Sequence, residues 1–137
     1  MNEAPDFVLD SYALLAYFNA EAGGIRVEQV LRNAQRGICR VWLSLITLGE
    51  VLYITERERG LQQAHELLAA LQQLPIGILE IDQEAVLAAA HVKAHYRLSY
   101  ADAFVVAAAQ NFNARILTGD PEFASLTALA QVEWLQP

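Results

Sequence analysis

The sequence predicts an α/β/α sandwich built on a parallel sheet of about five strands, and three observations carry that prediction. Short apolar runs alternate along the chain with longer segments whose apolar residues recur at helical spacing. The short runs are continuously apolar rather than alternating, as expected of strands covered on both faces. Glycine, proline and capping residues punctuate the joins between segments. No repeat, low-complexity tract or linker divides the chain, so residues 1–137 are expected to form a single domain.

The elements follow in order. Phe7-Val8-Leu9 is a buried strand, and Ser11 to Ala20 has helical spacing that Gly23-Gly24 ends. Ile25 to Arg36 places Val27, Val30, Leu31 and Ala34 on one helical face, and Gly37 closes it. Ile38 to Leu43 is β-rich. A helix starts near Ser44 to Thr47 and runs to about Arg59, where Gly60 stops it. Leu61 to Leu74 is helical by period until Pro75 breaks it, and Gly77 to Ile81 is a third strand. Asp82 caps a helix over Gln83 to Tyr96, and Ser99 caps another over Tyr100 to Phe112. Arg115 to Thr118 is the fourth strand, a short turn covers Pro121 to Leu126, and Val132 to Leu135 supplies a fifth.

A chain of 137 residues is long enough to bury a substantial core. Its 55% hydrophobic content and mean hydropathy of +0.24 are high, which points to apolar surface covered by a partner. A membrane span is not expected. The longest apolar stretch, Val41 to Ile54, includes Ser44, Thr47, Gly49 and Glu50 and is too short to cross a bilayer. The opening Met1-Asn2-Glu3-Ala4-Pro5-Asp6 has no basic segment, so no secretory signal is expected and the cytoplasm is the expected location. Cys39 is the only cysteine, which fits a reducing compartment and inert core packing.

The net charge of −7 argues against a nucleic-acid partner unless acids are concentrated around bound cations. Eight of the nine basic residues are arginine, the side chain suited to forked phosphate contacts, so the charge balance leaves the partner open.

Four acids have plain structural explanations when taken singly. Asp10 suits an N-cap, and Thr47-Leu-Gly-Glu50 and Ser99-Tyr-Ala-Asp102 have capping-box spacing. Asp120 precedes Pro121 as a cap precedes a first-turn proline. Taken together they converge. In a parallel sheet the strand C-termini and the starts of the following helices share one edge, which is where such sheets bind ligands. Asp10 and Asp120 follow strands, and Glu50 and Asp102 lie in early helical turns on that edge. Glu50 and Asp102 also sit in apolar helices, where a carboxylate needs compensation. A divalent cation supplies it, and oxygen-only ligands favour Mg²⁺ or Mn²⁺ over Zn²⁺.

At these acids the sequence resembles the PIN-domain nucleases, and within them the VapC-type toxins of bacterial toxin–antitoxin pairs. The carriers are Val8-Leu9-Asp10-Ser11-Tyr12-Ala13-Leu14-Leu15, Leu48-Gly49-Glu50-Val51, Tyr100-Ala101-Asp102-Ala103 and Leu117-Thr118-Gly119-Asp120-Pro121-Glu122-Phe123. The resemblance implies strand order 3-2-1-4-5, Mg²⁺- or Mn²⁺-dependent endoribonuclease activity, a homodimer and an antitoxin protein that occludes the site. It assigns Asp10, Glu50, Asp102 and Asp120 to metal binding and catalysis, and Ser11 and Thr118 to ordering the cluster. Glu122 is a further acid nearby.

The mechanism expected is metal-assisted phosphodiester hydrolysis with Asp10 and Asp102 as central ligands and Glu50 and Asp120 ligating directly or through water. Arg57, Arg59 and Arg97 are candidates for RNA contact, with helix-dipole pairing the plainer reading of the first two. Arg26, Arg32, Arg36 and Arg40 read as a solvated face. His91 and His95 have i, i+4 spacing but no evident third ligand. Leu61 to Leu74 reads as core packing, or as a face for a dimer mate or an antitoxin helix. A receiver-type phosphorylation domain is the first rival, but it wants adjacent acids where Asp10 is followed by Ser11, and a lysine after the last strand. A catalytically silent module of the same fold, binding RNA or protein, is the second.

Overall fold

The computed structural model describes residues 4–136. Met1, Asn2 and Glu3, on which part of the no-signal expectation falls, lie outside the described residues, as does Pro137. The elements are β1 (Phe7–Leu9), α1 (Ser11–Phe18), α2 (Gly24–Gln35), β2 (Val41–Ser44), α3 (Leu45–Arg59) and α4 (Leu61–Leu71). Then come β3 (Gly77–Leu79), α5 (Gln83–His95), α6 (Tyr100–Phe112), β4 (Arg115–Thr118), a 3₁₀ turn (Pro121–Leu126) and β5 (Val132–Trp134). All five strands pair in parallel, in the order β3-β2-β1-β4-β5. A receiver-type sheet has the order 2-1-3-4-5, so topology removes that rival.

The three layers follow from the strand residues. Successive side chains on a strand face opposite ways. Phe7 and Leu9 enter one core with Leu14, Val27, Val30, Val41, Leu43, Val51 and Leu67, beneath α1 to α4. Val8 enters the other with Ala89, Ala103, Val106, Ile116 and Phe123, beneath α5, α6 and the 3₁₀ turn. Both faces of β1 are therefore dry. That is why its sequence is an unbroken apolar run.

Several boundaries differ from the sequence expectation, each for a local reason. The first helix ends at Asn19 and a left-handed Ala20 (φ 53°), before the glycine pair. Gly24 instead opens α2, where an added Cβ would overlap the Ala16 carbonyl oxygen, so close helix approach is what requires glycine there. The second strand begins at Val41 rather than Ile38. Gly37 (φ 75°) and an Ile38 N–H bond to the Asn33 carbonyl close α2, and the Arg40 N–H then donates to Asp6 at 2.8 Å. Tight turns over 72–74 end α4 at Leu71 instead of Leu74. Strand β3 stops at Leu79 because its partner Ser44 is the last residue of β2 and becomes a helix cap. In the same way β5 stops at Trp134, opposite Thr118. The α5 helix ends at His95, with Tyr96 as its cap.

Arg26 departs from the solvated-face expectation. Its guanidinium forks onto Glu133, Nε to Oε2 at 2.7 Å and Nη2 to Oε1 at 3.1 Å, tying α2 to edge strand β5. Cys39 is buried just before β2, its thiol against the Val30 carbonyl, and burial pushes that thiol up from its ordinary pKa.

Candidate active site

Each acid reaches the C-terminal edge of the sheet by a different local device. Asp10 follows β1 directly and caps α1, its Oδ1 accepting the Ala13 N–H at 2.9 Å. Asp120 follows β4 and caps the 3₁₀ turn through Oδ1, which accepts the Glu122 N–H at 2.9 Å. The capping explanation is thus real for both, yet it uses one carboxylate oxygen of each. Ser99 caps α6 by accepting the Asp102 N–H at 3.1 Å, so the Asp102 carboxyl is not the cap. Ser44 caps α3, accepting from Ile46 at 3.2 Å. The Thr47–Glu50 capping box therefore does not form, and the Thr47 hydroxyl is buried without a hydrogen-bond partner.

The carboxylates converge unevenly. Asp102, Asp120 and Glu122 each offer an oxygen within 4.8 Å of the others. Among the described residues no other group of three or more histidines, cysteines or acids is gathered so closely, which leaves His91 and His95 as an exposed pair on α5. Asp10 adjoins the trio through Thr118, whose hydroxyl donates to Asp10 Oδ2 and accepts the Asp120 N–H at 2.9 Å. One buried hydroxyl so links the ends of β1 and β4. Glu50, half-buried on α3, lies near enough to add its charge to the field at Asp102. Ser11, also half-buried, opens α1 beside Asp10.

Burial and crowding set the electrostatics. The Asp10 carboxyl is raised to about 7, chiefly by desolvation, with Asp120 adding to it while Thr118 and Ala13 oppose it by hydrogen bonding. The Asp102 carboxyl is raised to about 9, chiefly by desolvation, with hydrogen bonding to Glu122 and the charges of Asp10, Glu122 and Glu50 adding to it. Two acids that resist ionisation beside three more carboxyls make a site whose charge wants a cation. The donors are all oxygen, which suits a hard divalent ion, so the residues fit Mg²⁺ or Mn²⁺.

Glu122 joins the closest trio, more centrally than its sequence position suggests, while Asp10 and Glu50 flank it. Two of the arginine candidates lie at the far end of a helix. Arg57 and Arg59 end α3, with Arg57 over the Tyr53 ring at 5.1 Å from its centroid. At 1.5 Å per residue, Arg57 stands about 10 Å along the helix from Glu50. Arg97 is exposed in the connection that leads into α6. A cleft of about 360 Å³ between α5 and α6, lined by Ile81, Ala85, Ala88, Phe104 and Ala108 among others, includes none of the clustered carboxylates.

Fold and site together define a parallel α/β protein with a partly buried carboxylate cluster where its central strands end. Within that class the chain belongs to the PIN domain family, whose model matches residues 7–129. No curated protein sequence matches it. Solved structures do, at low identity. A chain of the DNA-bound VapBC complex from Salmonella typhimurium aligns at TM-score 0.75 and 17% identity, over 97% of this chain and 100% of that one. A chain of VapBC2 from Rickettsia felis, bound to a promoter DNA fragment, gives 0.74 and 13% over 95% and 98%. VapC20 of Mycobacterium tuberculosis, described as a sarcin–ricin loop cleaving toxin, gives 0.69 and 18% over 88% and 95%. At these identities the likeness establishes a shared fold over nearly the whole of each chain.

Proposed function

We propose that this protein is a divalent-metal-dependent endoribonuclease and the toxin half of a toxin–antitoxin pair. The observation that carries the reading is the convergence of Asp102, Asp120 and Glu122 within 4.8 Å, with Asp10 buried against Thr118 beside them. Family membership supports nuclease chemistry, and the neighbours drawn from VapBC complexes and the loop-cleaving VapC20 support the toxin role, the RNA substrate and an antitoxin partner. A homodimer in the cytoplasm completes the reading. The high apolar content is consistent with a covered face, and among the described residues no helix is long and apolar enough to cross a membrane.

In this reading Asp102, Asp120 and Glu122 hold the cation, with Asp10 and Glu50 completing the negative field. Mg²⁺ or Mn²⁺ held by these residues would supply Lewis-acid activation of water and charge neutralisation at the scissile phosphate. The chain's own part is preorganisation. Thr118 fixes the Asp10 carboxyl and the Asp120 backbone together, so the acids that follow β1 and β4 are set in place in advance. With a cation held there Asp102 would stay ionised, because a divalent charge outweighs the burial that raises its pKa.

The test is digestion of total cellular RNA by the wild type and Asp102→Asn, with Mg²⁺, with Mn²⁺ and with chelator. Discrete fragments are expected from the wild type with metal alone, and the variant should lose cleavage by about 100-fold or more while staying folded. Equal digestion by both proteins would mean contaminating activity and would remove the enzyme reading.

A further inference from the structure

Tyr12 stands two residues past Asp10 in the first turn of α1, and its ring lies directly on Gly119, the residue between Thr118 and Asp120. A Cβ at position 119 would overlap ring atoms Cε1 and Cζ. Gly119 is not among the positive-φ glycines, which are Gly37 and Gly60. Backbone conformation therefore does not require glycine there; the ring does. The ring is seated against the residue that precedes Asp120, yet Tyr12 remains 38% exposed. A tyrosine needed only for the core would be covered.

Charge makes an uncharged contact valuable at this place. The protein carries −7 overall, the neighbouring carboxyls repel phosphate, and Arg57 and Arg59 stand about 10 Å or more along α3 from Glu50. Stacking of a base on an aromatic ring does not depend on the sign of the surrounding field, and its strength rivals that of a phosphate contact. Only an unpaired base, splayed from its neighbours, can offer its face to a side chain in this way.

Building on the nuclease reading, we propose that Tyr12 is the base-stacking residue of this site. It holds an unpaired base next to the scissile phosphate. Gly119 is the seat that fixes the ring.

The test uses the full chain with Mn²⁺ and a mixed-sequence RNA oligonucleotide carrying 2-aminopurine, single-stranded and annealed to its complement. Tyr12→Phe keeps the ring and should keep the wild-type KM. Tyr12→Leu, or Tyr12→Met should the first fold poorly, should raise KM about 10-fold with kcat within about 2-fold and Mn²⁺ affinity unchanged. The duplex should be cut poorly by every form. An unchanged KM in Tyr12→Leu overturns the assignment, as does weakened Mn²⁺ binding at unchanged KM, which would make Tyr12 a wedge for the loop. Should the wild type cut neither RNA, the nuclease reading fails. The stacking assignment is still decided by the 2-aminopurine signal in Ca²⁺, which must differ between the wild type and Tyr12→Leu.

Discussion

Asp102 sits where burial, Glu122, Asp10 and Glu50 all oppose its ionisation, and the consequence is measurable without any substrate. Its folded pKa of about 9 and that of Asp10 of about 7 both exceed the ordinary 3.8. The folded protein therefore binds more protons than the unfolded chain between these values. The resulting stability is fully present below pH 3.8 and is lost as pH rises, with both groups contributing up to about 7 and Asp102 alone from there to about 9. Each group acts with a slope near 1.4 kcal/mol per pH unit. Metal-free protein should accordingly melt lower at pH 8.5 than at pH 6.5, and Asp102→Asn should flatten most of that fall. Added Mg²⁺ should raise the melting temperature more at the higher pH. A flat wild-type profile would contradict the crowded, buried cluster. At this scale the sequence revealed the acids by type and spacing, but it ranked them differently. It left the start of α3 between Ser44 and Thr47, either of which can cap, and it could not show that Tyr12 meets Gly119 across more than a hundred residues, since that contact leaves no local pattern.

Helix starts are the elements that build the site. Ser44 and Ser99 open α3 and α6, and Asp10 and Asp120 open the structures after β1 and β4, so four chain reversals deliver their first turns to one edge. Helical period, caps and glycine stops made these elements legible in sequence. Their ends were less so, because strand length is set by the partner's length and helix ends by neighbours. Gly24 illustrates the difference. It reads locally as a terminator, whereas in space it is where α2 passes the Ala16 carbonyl of α1. Gly24→Ala should destabilise the fold by about 1–3 kcal/mol, because backbone has to move to accept one methyl. Thermal melting checks this, with RNA cleavage at low temperature retained. An unchanged melting temperature would mean that α1 and α2 do not approach so closely.

Over the whole molecule, parallel strands in the order 3-2-1-4-5 put the two site-bearing strands β1 and β4 side by side, so Asp10 and Asp120 are neighbours although 110 positions apart. The alternation of apolar runs and helical segments made the sandwich legible; the strand order came from the family resemblance and not from periodicity. Net charge left the partner open, since a count of charges does not register that several acids crowd one site. Calorimetric titration of Mn²⁺ into metal-free wild type and Asp102→Asn at pH 7.5, in two buffers of different ionisation enthalpy, tests the central claim most directly. The account predicts binding by the wild type with proton release close to one per protein, and binding at least about 10-fold weaker, with little proton release, in the variant. No binding by the wild type, or equal binding by both proteins, would contradict it.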